Sequence, residues 1–222
     1  RGRVSASDWE HHEQYDKFRR VSERALRATS TAEAPWIVVE ATDDRYRDLT
    51  VATVIADSVR KRIDDPPPTA LAHAPVLPEP IDGKRILTTV DLGKAVSKEE
   101  YADELLRLQG RLNALFREAK LDERSVVLVL EGMDAAGKGG AIRRITSALD
   151  ARQYKVVPIS APAREERARP YLWRFWRRLP RKGAMTIYDR SWYGRVLVER
   201  IEGFRDTDDW MRAYGEINDF EE

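Results

Sequence analysis

The sequence predicts an α/β fold, a doubly wound parallel sheet with helices on both faces, of which this chain carries an incomplete part. Beyond residue 97, strand-like apolar runs alternate with helical patterns, which is the order that builds a parallel sheet. One of these runs, 124–130, is almost continuously apolar, as expected for an interior strand buried on both faces. The turn after it is rich in glycine and opens a helix. Three recognisable strands are too few for a finished sheet of this kind.

The composition is that of a globular protein. Of 222 residues 42% are apolar, with six Trp and eight Tyr, which is enough for a packed core in one large domain or two small ones. Cysteine is absent, so disulfides and thiolate metal sites are excluded and a reducing compartment is favoured. No apolar run approaches the roughly 20 residues that cross a bilayer. No signal peptide is visible, although the chain starts at Arg1. We therefore expect a cytoplasmic protein.

A proline-rich segment divides the chain. Residues 64–80 contain six of the eleven prolines, which excludes a helix interior or a central strand and predicts an extended linker. We expect three parts: residues 1–64, a linker over 65–80 and residues 81–222. The first part has the pattern of a helix, a short buried strand and a second helix, which is too little for an independent domain. These elements are predicted over Asp16–Ala28, Trp36–Val39 and Thr50–Ile63.

The part after the linker alternates helices and strands. Its first helix has an apolar stripe at helical spacing and begins after Ser97, a residue type that favours the N-cap position. The predicted helices span Lys98–Lys120, Gly139–Leu149, Arg167–Leu179 and Trp192–Ile201. The predicted strands span Arg124–Leu130, Lys155–Ile159 and Ala184–Tyr188.

The strongest motif runs from Gly132 to Lys138. It has the pattern G-x-x-x-x-G-K between a buried strand and a helix, which is the context of a phosphate-binding P-loop. Glycines at 132 and 137 let backbone N–H groups turn toward phosphate, and the Lys138 ammonium can reach its oxygens. Gly139 stands where a Ser or Thr usually binds Mg²⁺, and Gly140 follows it. Asp134 is the candidate to replace that ligand, or it only ties down the loop.

A second motif ends at an aspartate. The apolar run from Met185 to Tyr188 is followed by Asp189, which predicts a strand that ends in a metal-binding carboxylate beside the P-loop. A strand-end aspartate can also only cap a helix. Arg190 could neutralise charge on a transferring group. We expect Ser191 to cap the next helix, and Arg195, one turn further, to reach phosphate.

Positive charge follows the P-loop directly. Residues 138–200 contain sixteen Lys or Arg against five Asp or Glu, and residues 202–222 contain two against eight. Such a run is often only a solvated helical surface, but beside a phosphate loop it favours a path for a polyanion. The residues that could line that path are Arg143, Arg144, Lys155 and Arg164.

The histidines bear on the chemistry. All three, His11, His12 and His73, precede residue 81, so the predicted P-loop part contains no side chain for a phosphohistidine intermediate. The remaining route is direct in-line phosphoryl transfer, in which positioning and electrostatics carry the catalysis.

The combined motifs resemble family-2 polyphosphate kinases over most of residues 90–220, and hence a P-loop kinase-like fold. The segments that carry the resemblance are Glu131–Gly140, Tyr171–Trp176, Tyr188–Arg195 and Val198–Gly203. The resemblance implies essential roles for Asp134, Lys138, Asp189 and Arg190, transfer of phosphoryl groups between polyphosphate and nucleotides, and Mg²⁺ as cofactor, with Mn²⁺ as a possible substitute. Gly132, Gly137, Gly139, Gly140, Arg143, Arg144 and Arg195 are the expected phosphate- or nucleotide-binding residues.

The first part also resembles this family, but its other end. Residues 29–36, after an Arg-rich helix, are similar to the segment that completes the fold, so the chain runs from the end of one copy into the start of a second. That layout, and Gly194 in the Trp-Tyr-x-Arg motif, are similar to the duplicated members that phosphorylate AMP. The expected function is phosphoryl transfer from inorganic polyphosphate to AMP by a homo-oligomer that binds neither nucleic acid nor membrane. The alternatives are an ATP-dependent P-loop small-molecule kinase and a catalytically silent polyphosphate-binding scaffold.

Overall fold

The computed structural model of the chain describes residues 13–31, 34–64, 87 and 89–222. The predicted linker over 65–80 and the three histidines lie outside the described residues. The described part of the chain forms two compact units. One contains residues up to 38 together with those from 192 onward, and the other contains 39–64 and 91–191.

The unit that contains residues 39–64 and 91–191 includes the predicted P-loop and is called the P-loop unit. It is built on a parallel sheet of three strands, β1 (Val126–Leu130), β2 (Tyr154–Pro158) and β3 (Met185–Asp189). The strand order is β1-β3-β2, and both neighbours pair with β3 in parallel. The last residue of β3 pairs with Leu130 and Pro158, so the three carboxyl ends are level. The predicted α/β class and parallel sheet are confirmed.

The sequence predicted that the first strand lies in the interior of the sheet. In the sheet that the described residues form, this prediction is wrong. β1 lies at its edge, and Val127 is 43% exposed there. The buried central strand is β3, in which Met185, Ile187 and Tyr188 are almost inaccessible. Apolar composition indicates that a strand is partly covered, but pairing partners decide whether it is central.

Three helices build the core around this sheet: α2 (Asp44–Asp64), α3 (Lys98–Leu121) and α4 (Lys138–Thr146). Their buried apolar faces meet in one cluster with β3. The predicted cap is confirmed, because the Ser97 hydroxyl accepts a hydrogen bond from the Glu100 N–H at 3.2 Å. The second predicted helix begins six residues earlier than expected, because the Asp43 carboxylate accepts from the Tyr46 N–H at 2.7 Å and caps it.

Helix α2 therefore belongs to the same compact unit as the P-loop, although the sequence placed residues 1–64 in a separate part. It packs along α3, where the Arg60 guanidinium donates two hydrogen bonds to the Glu118 carboxylate at 3.1 and 3.0 Å. Arg111 pairs with Asp57 at 2.8 Å along the same contact. The interpretation of residues 1–64 as the end of a first copy stays a prediction.

The expected basic helix over Arg167–Leu179 is wrong as one element. Two single turns replace it, α5 (Arg164–Arg167) and α6 (Trp173–Trp176). Pro170 lies between them, and a proline in a helix interior lacks the N–H and disfavours helical geometry in the residue before it.

The other unit contains α1 (Tyr15–Thr29), which confirms the first predicted helix, a 3₁₀ turn (Trp192–Arg195), α7 (Val198–Ile201) and α8 (Thr207–Glu221). The predicted helix over Trp192–Ile201 is thus two short pieces. The Lys17 ammonium donates to the Ile201 carbonyl at 2.6 Å and connects α1 to α7.

The predicted buried strand over Trp36–Val39 is wrong. These residues pair with no strand in the described ranges, and Ile37 and Val38 are 47% and 39% exposed. The Trp36 indole packs edge-on against Tyr193 of the same unit, with ring centroids 4.5 Å apart. Its N–H donates a hydrogen bond to the Thr29 hydroxyl at 2.8 Å. A four-residue apolar run does not by itself distinguish a strand from an extended segment held by one anchoring side chain.

None of the helices in the described ranges combines the length and the apolar character that crossing a membrane requires.

Candidate phosphoryl-transfer site

The predicted P-loop lies at the carboxyl end of β1, between Leu130 and the first turn of α4. Its backbone is unusual in two places, because Ala135 and Gly137 both have left-handed conformations with φ of 64° and 87°. Gly137 caps α4 at its N-terminus. The loop thus turns sharply into a helix whose first N–H groups have no partner within the helix, as an anion-binding loop requires.

Lys138 is the first residue of α4, and its side chain returns over the loop. Its ammonium donates to the carbonyls of Gly132 at 2.9 Å and Met133 at 3.0 Å. Burial lowers the pKa of the Lys138 ammonium, and the positive charge of Arg190 lowers it further. The acidic groups that act on it in the opposite direction are Asp189, Asp134 and Glu131. The Lys138 ammonium thus responds to charges from both the P-loop and the end of β3.

Asp134 and Arg190 form an ion pair between the loop after β1 and the loop after β3. Both side chains remain accessible, at 35% and 38% exposure. Arg190 has φ of 63°, a left-handed conformation that is uncommon outside glycine, while its N–H donates to the Leu130 carbonyl at 3.0 Å. Backbone strain of this kind concentrates at functional sites.

Asp189 ends β3 as predicted, opposite Leu130 of β1. The described part of the chain holds no cluster of three or more His, Cys, Asp or Glu that could bind a metal by itself. Two carboxylates near one lysine nevertheless fit the way proteins hold Mg²⁺, since that ion keeps several waters and takes oxygen ligands from the substrate's phosphates.

Glu131 is a site residue that the sequence did not single out for a role. Its Oε1 accepts a hydrogen bond from the Ser191 hydroxyl at 2.8 Å. Burial raises the pKa of the Glu131 carboxyl, while hydrogen bonds from Ser191 and the charges of Arg190 and Lys138 oppose that shift. The Ser191 hydroxyl connects the loops after β1 and β3, and the predicted helix cap at Ser191 stays a prediction. Only the position of Glu131, directly before Gly132, could have suggested this role.

Arg47 of α2 is a second residue that no sequence pattern indicated. Its guanidinium lies so close to Gly137 that a β-carbon at position 137 would overlap it. At Gly140, a β-carbon would lie 3.1 Å from Arg47 Nη2. Gly140 therefore provides room for a neighbouring helix, and its predicted phosphate role stays a prediction. A β-carbon added at Gly139 would meet none of the described residues within 4 Å, so the surroundings of Gly139 are open.

The predicted phosphate ligands Arg143 and Arg144 have different surroundings. Arg143 is exposed on α4. Arg144 turns toward α2, where its Nε pairs with Asp48 Oδ2 at 2.9 Å and lies 3.3 Å from the Tyr101 hydroxyl. The hydrogen bond with Tyr101 and the charge of Asp48 raise the pKa of the Arg144 guanidinium. Contact of either arginine with phosphate stays a prediction.

Arg195 belongs to the other compact unit. Its side chain is buried, with Nε 2.9 Å from Glu199 Oε2 and Nη1 3.9 Å from Asp209 Oδ2. Two carboxylates thus compensate its charge within that unit. Phosphate binding by Arg195 stays a prediction.

Much of the basic stretch lies at the other end of the sheet. A cleft of about 220 Å³ opens beside the first residues of β2 and β3, whereas the P-loop follows the carboxyl end of β1. The basic residues that line this cleft are Arg152, Lys155, Arg177, Arg178 and Arg181. Lys155 is thus not at the P-loop end of the sheet, and Arg164 is exposed on α5.

A parallel sheet with a P-loop after one strand and an aspartate at the end of the next strand in space is the arrangement of the P-loop class of phosphate-binding proteins, which includes kinases, ATPases and GTPases. Comparison with family models gives the particular family. The model described as "Polyphosphate kinase 2" matches residues 1–66 and 95–222. The chain belongs to this family.

Known relatives agree. The chain is 52% identical over 226 residues to a polyphosphate:AMP phosphotransferase of Pseudomonas aeruginosa and 50% identical to one of Pseudomonas syringae, with 99% of this chain matched in each case. An NDP-polyphosphate phosphotransferase of Ruegeria pomeroyi is 40% identical but matches 57% of the chain. The chain spans 45% and 44% of the length of the two Pseudomonas proteins.

Solved structures show the same relationship. A polyphosphate kinase 2 structure from Pseudomonas aeruginosa has 49% identity and a TM-score of 0.60 over 98% of this chain, which covers 44% of the solved chain. A polyphosphate kinase 2 from Arthrobacter aurescens has 32% identity and a TM-score of 0.53 over 60% of this chain and 50% of its own. The family resemblance seen in the motifs is thereby confirmed.

Proposed function

We propose that this chain carries the phosphate-handling core of an enzyme that transfers a phosphoryl group from inorganic polyphosphate to AMP and produces ADP. The observation that carries this proposal is the Asp134–Arg190 ion pair, which joins the P-loop that carries Lys138 to the residue after Asp189 at the end of β3. The relatives matched over nearly the whole chain are polyphosphate:AMP phosphotransferases, which supports AMP as acceptor.

The reaction is one in-line displacement. An oxygen of the AMP phosphate forms a bond to the terminal phosphorus of polyphosphate, and the bridging P–O bond to the rest of the chain breaks. The shortened polyphosphate leaves with the electron pair of that bond. Lys138 would stabilise charge on the phosphate oxygens, and the loop N–H groups would orient the chain. Arg190 would neutralise charge on the transferring group, which requires it to exchange its contact with Asp134 for phosphate.

Asp134 and Asp189 would hold the divalent cation, expected to be Mg²⁺. Their carboxylates are hard oxygen donors, and no described thiolate or imidazole lies with them to favour a softer metal. When bound, the cation supplies charge stabilisation on phosphate oxygens. The described side chains provide two such ligands, so water and phosphate oxygens complete the set.

The proposal includes the arrangement of two copies. Residues 1–64 would be the end of a first kinase copy, 65–80 a linker, and 81–222 the beginning of a second. The family model matches two segments and skips residues 67–94, which include most of the predicted linker. The named Pseudomonas relatives are also about twice as long as this chain.

The direct test uses the full chain with polyphosphate, AMP and Mg²⁺, and measures ADP by chromatography. Lys138→Ala should abolish ADP formation with little loss of thermal stability, while Lys182→Ala, a surface lysine paired with Glu123 at 2.7 Å, should act like the wild type. ADP formation that depends on ATP and not on polyphosphate would instead show an ATP-dependent kinase.

A polyphosphate-binding scaffold is the remaining alternative. In that case polyphosphate binds but no ADP forms, and Lys138→Ala leaves this result unchanged. Charge reversal within residues 167–182 would then abolish binding. Isothermal titration calorimetry with tripolyphosphate, on the wild type and on the charge-reversal variant, measures this loss of binding and separates the scaffold from the enzyme.

A further inference from the structure

The first turn of α2 lies against the start of α4, and this contact is made by a charged side chain. Arg47 is buried, with only 7% of its side chain exposed. Its guanidinium covers Gly137 and comes near Gly140, which are three residues apart and so lie on one face of the helix start. The absence of β-carbons at these two positions creates the space that the guanidinium occupies.

Acidic groups hold the guanidinium in this position. Asp48 Oδ1 accepts hydrogen bonds from Arg47 Nε at 3.1 Å and Nη2 at 2.9 Å, and Asp44 Oδ1 accepts one from Nη1 at 2.6 Å. Three donors on one rigid planar group are therefore engaged, and rotation of the side chain would break all of them. The orientation of the plane over the loop is fixed.

Asp48 extends the contact to the other core helices. Its Oδ2 accepts from the Tyr101 hydroxyl of α3 at 3.1 Å and lies 2.9 Å from Arg144 Nε of α4. The Asp48 side chain is 1% exposed, so water does little to weaken these contacts. Two arginines and one tyrosine thus meet at a single buried carboxylate that belongs to α2.

An unpaired cation at this position would be costly. The N-terminus of α4 is the positive end of its dipole, and Lys138 adds another positive charge there. A neutral side chain could fill the same space without this repulsion. A guanidinium held flat by two carboxylates supplies something that a neutral residue cannot, a rigid surface against which the left-handed turn at Gly137 is set.

We infer that Arg47 is a positioning residue of the phosphate loop: it acts through Gly137 and keeps the loop N–H groups and the Lys138 stem oriented for phosphate. The kinetic test of this inference rests on the proposed function. A second test, which measures tripolyphosphate binding, is independent of it. Helix α2, which precedes the linker in the chain, would thus orient the P-loop, which follows the linker.

The first experiment compares Arg47→Ala, Arg47→Lys and Arg45→Ala in the full chain. Displacement of the loop should weaken tripolyphosphate binding and raise the KM for polyphosphate by roughly 10- to 100-fold in Arg47→Ala. Arg47→Lys keeps the charge and the stem but cannot span Asp44 and Asp48 in one plane, so it should show the same defect with thermal stability closer to wild type. Arg45 pairs with Asp43 at 3.6 Å, and its side chain is 39% exposed. Arg45→Ala should bind and turn over normally.

The second experiment tests the contact itself by thermal unfolding. Gly140→Ala should affect Tm less favourably in the wild type than in Arg47→Ala, because the added methyl comes within 3.1 Å of Arg47 Nη2 only when the arginine is present. Gly139→Ala is the matched control. Its effect should add to that of Arg47→Ala, since its surroundings are open.

The outcomes separate the inference from the proposed function. Wild type without ADP formation would remove the proposed function, and tripolyphosphate binding by the Arg47 variants would still decide the role of Arg47. Normal binding and KM in Arg47→Ala would overturn the inference, as would complete rescue by Arg47→Lys. If Arg47→Ala does not fold, the lysine variant decides alone.

Discussion

The Ser191 hydroxyl donates a hydrogen bond to Glu131 Oε1 at 2.8 Å, and so joins the residue after β1 to the loop after β3. The Ser191 side chain is almost inaccessible, and burial raises the pKa of the Glu131 carboxyl. In the chain, Glu131 directly precedes Gly132 of the P-loop, and Ser191 directly follows Arg190. A partly buried hydrogen bond thus joins the two loops that carry the candidate charges.

Ser191→Ala should therefore destabilise the protein by about 1–3 kcal/mol, because the partly buried Glu131 carboxyl loses a hydrogen-bond donor. Chemical denaturation measures the change. Ser160→Ala, at an exposed serine, is the control and should change stability little. Equal stability of the two variants would mean that the Glu131 contact contributes nothing.

Asp134→Asn should separate catalysis from stability. Both partners of the Asp134–Arg190 pair are about one-third exposed, so the loss of the pair should cost less than about 1 kcal/mol. Asp134 is the proposed Mg²⁺ ligand, and its loss should lower turnover by roughly 10²- to 10³-fold. The Mg²⁺ concentration at half-maximal rate should rise. Steady-state rates over a Mg²⁺ series test this. Asp150→Asn, at a surface pair with Arg152, should leave the series unchanged.

Asp48→Ala should destabilise the P-loop unit strongly. It removes the buried carboxylate from Arg47 and Arg144, and stripping one partner from a buried ion pair typically costs about 3–5 kcal/mol. Thermal unfolding by circular dichroism is the measurement. Asp57→Ala removes an exposed carboxylate from the same helix and should have a far smaller effect. A similar Tm in both variants would contradict the network around Asp48.

Glu221→Gln should alter the pH dependence of stability. Its carboxylate accepts from Trp192 Nε1 at 2.7 Å and the Tyr193 hydroxyl at 2.8 Å, yet burial outweighs these bonds and raises the pKa of the Glu221 carboxyl. A raised pKa means that the folded state holds the proton more tightly than the unfolded state. The favourable contribution is complete below the unfolded pKa of about 4.3 and is lost as pH rises through the folded pKa.

The measurement is Tm from pH 4 to pH 8, for wild type and Glu221→Gln. The wild type should lose stability relative to the variant as pH rises through the raised pKa, because the amide stays neutral. Glu222→Gln is the neighbouring control and should follow the wild type. Parallel curves for wild type and Glu221→Gln would contradict a raised pKa.

Local patterns predicted the elements that carry their own signals. The P-loop between β1 and α4, the aspartate at the end of β3 and the cap at Ser97 each depend on a few adjacent residues, and all three are present. The errors arose where a pattern had two solutions. The Trp36–Val39 run could be a strand or an anchored extended segment. The prediction of one helix over Arg167–Leu179 had a different cause, because it took no account of the proline at 170.

By itself, the sequence determined the α/β class, the phosphate loop with Lys138 and the family, because glycine turns and strand-end carboxylates are written in short stretches of chain. Only the tertiary structure decided that α2 belongs to the P-loop unit, that Arg47 covers Gly137 and that Ser191 binds Glu131. These contacts join residues 60 to 90 positions apart, and which buried charges meet depends on how helices pack around a shared core. No local pattern of residues carries that information.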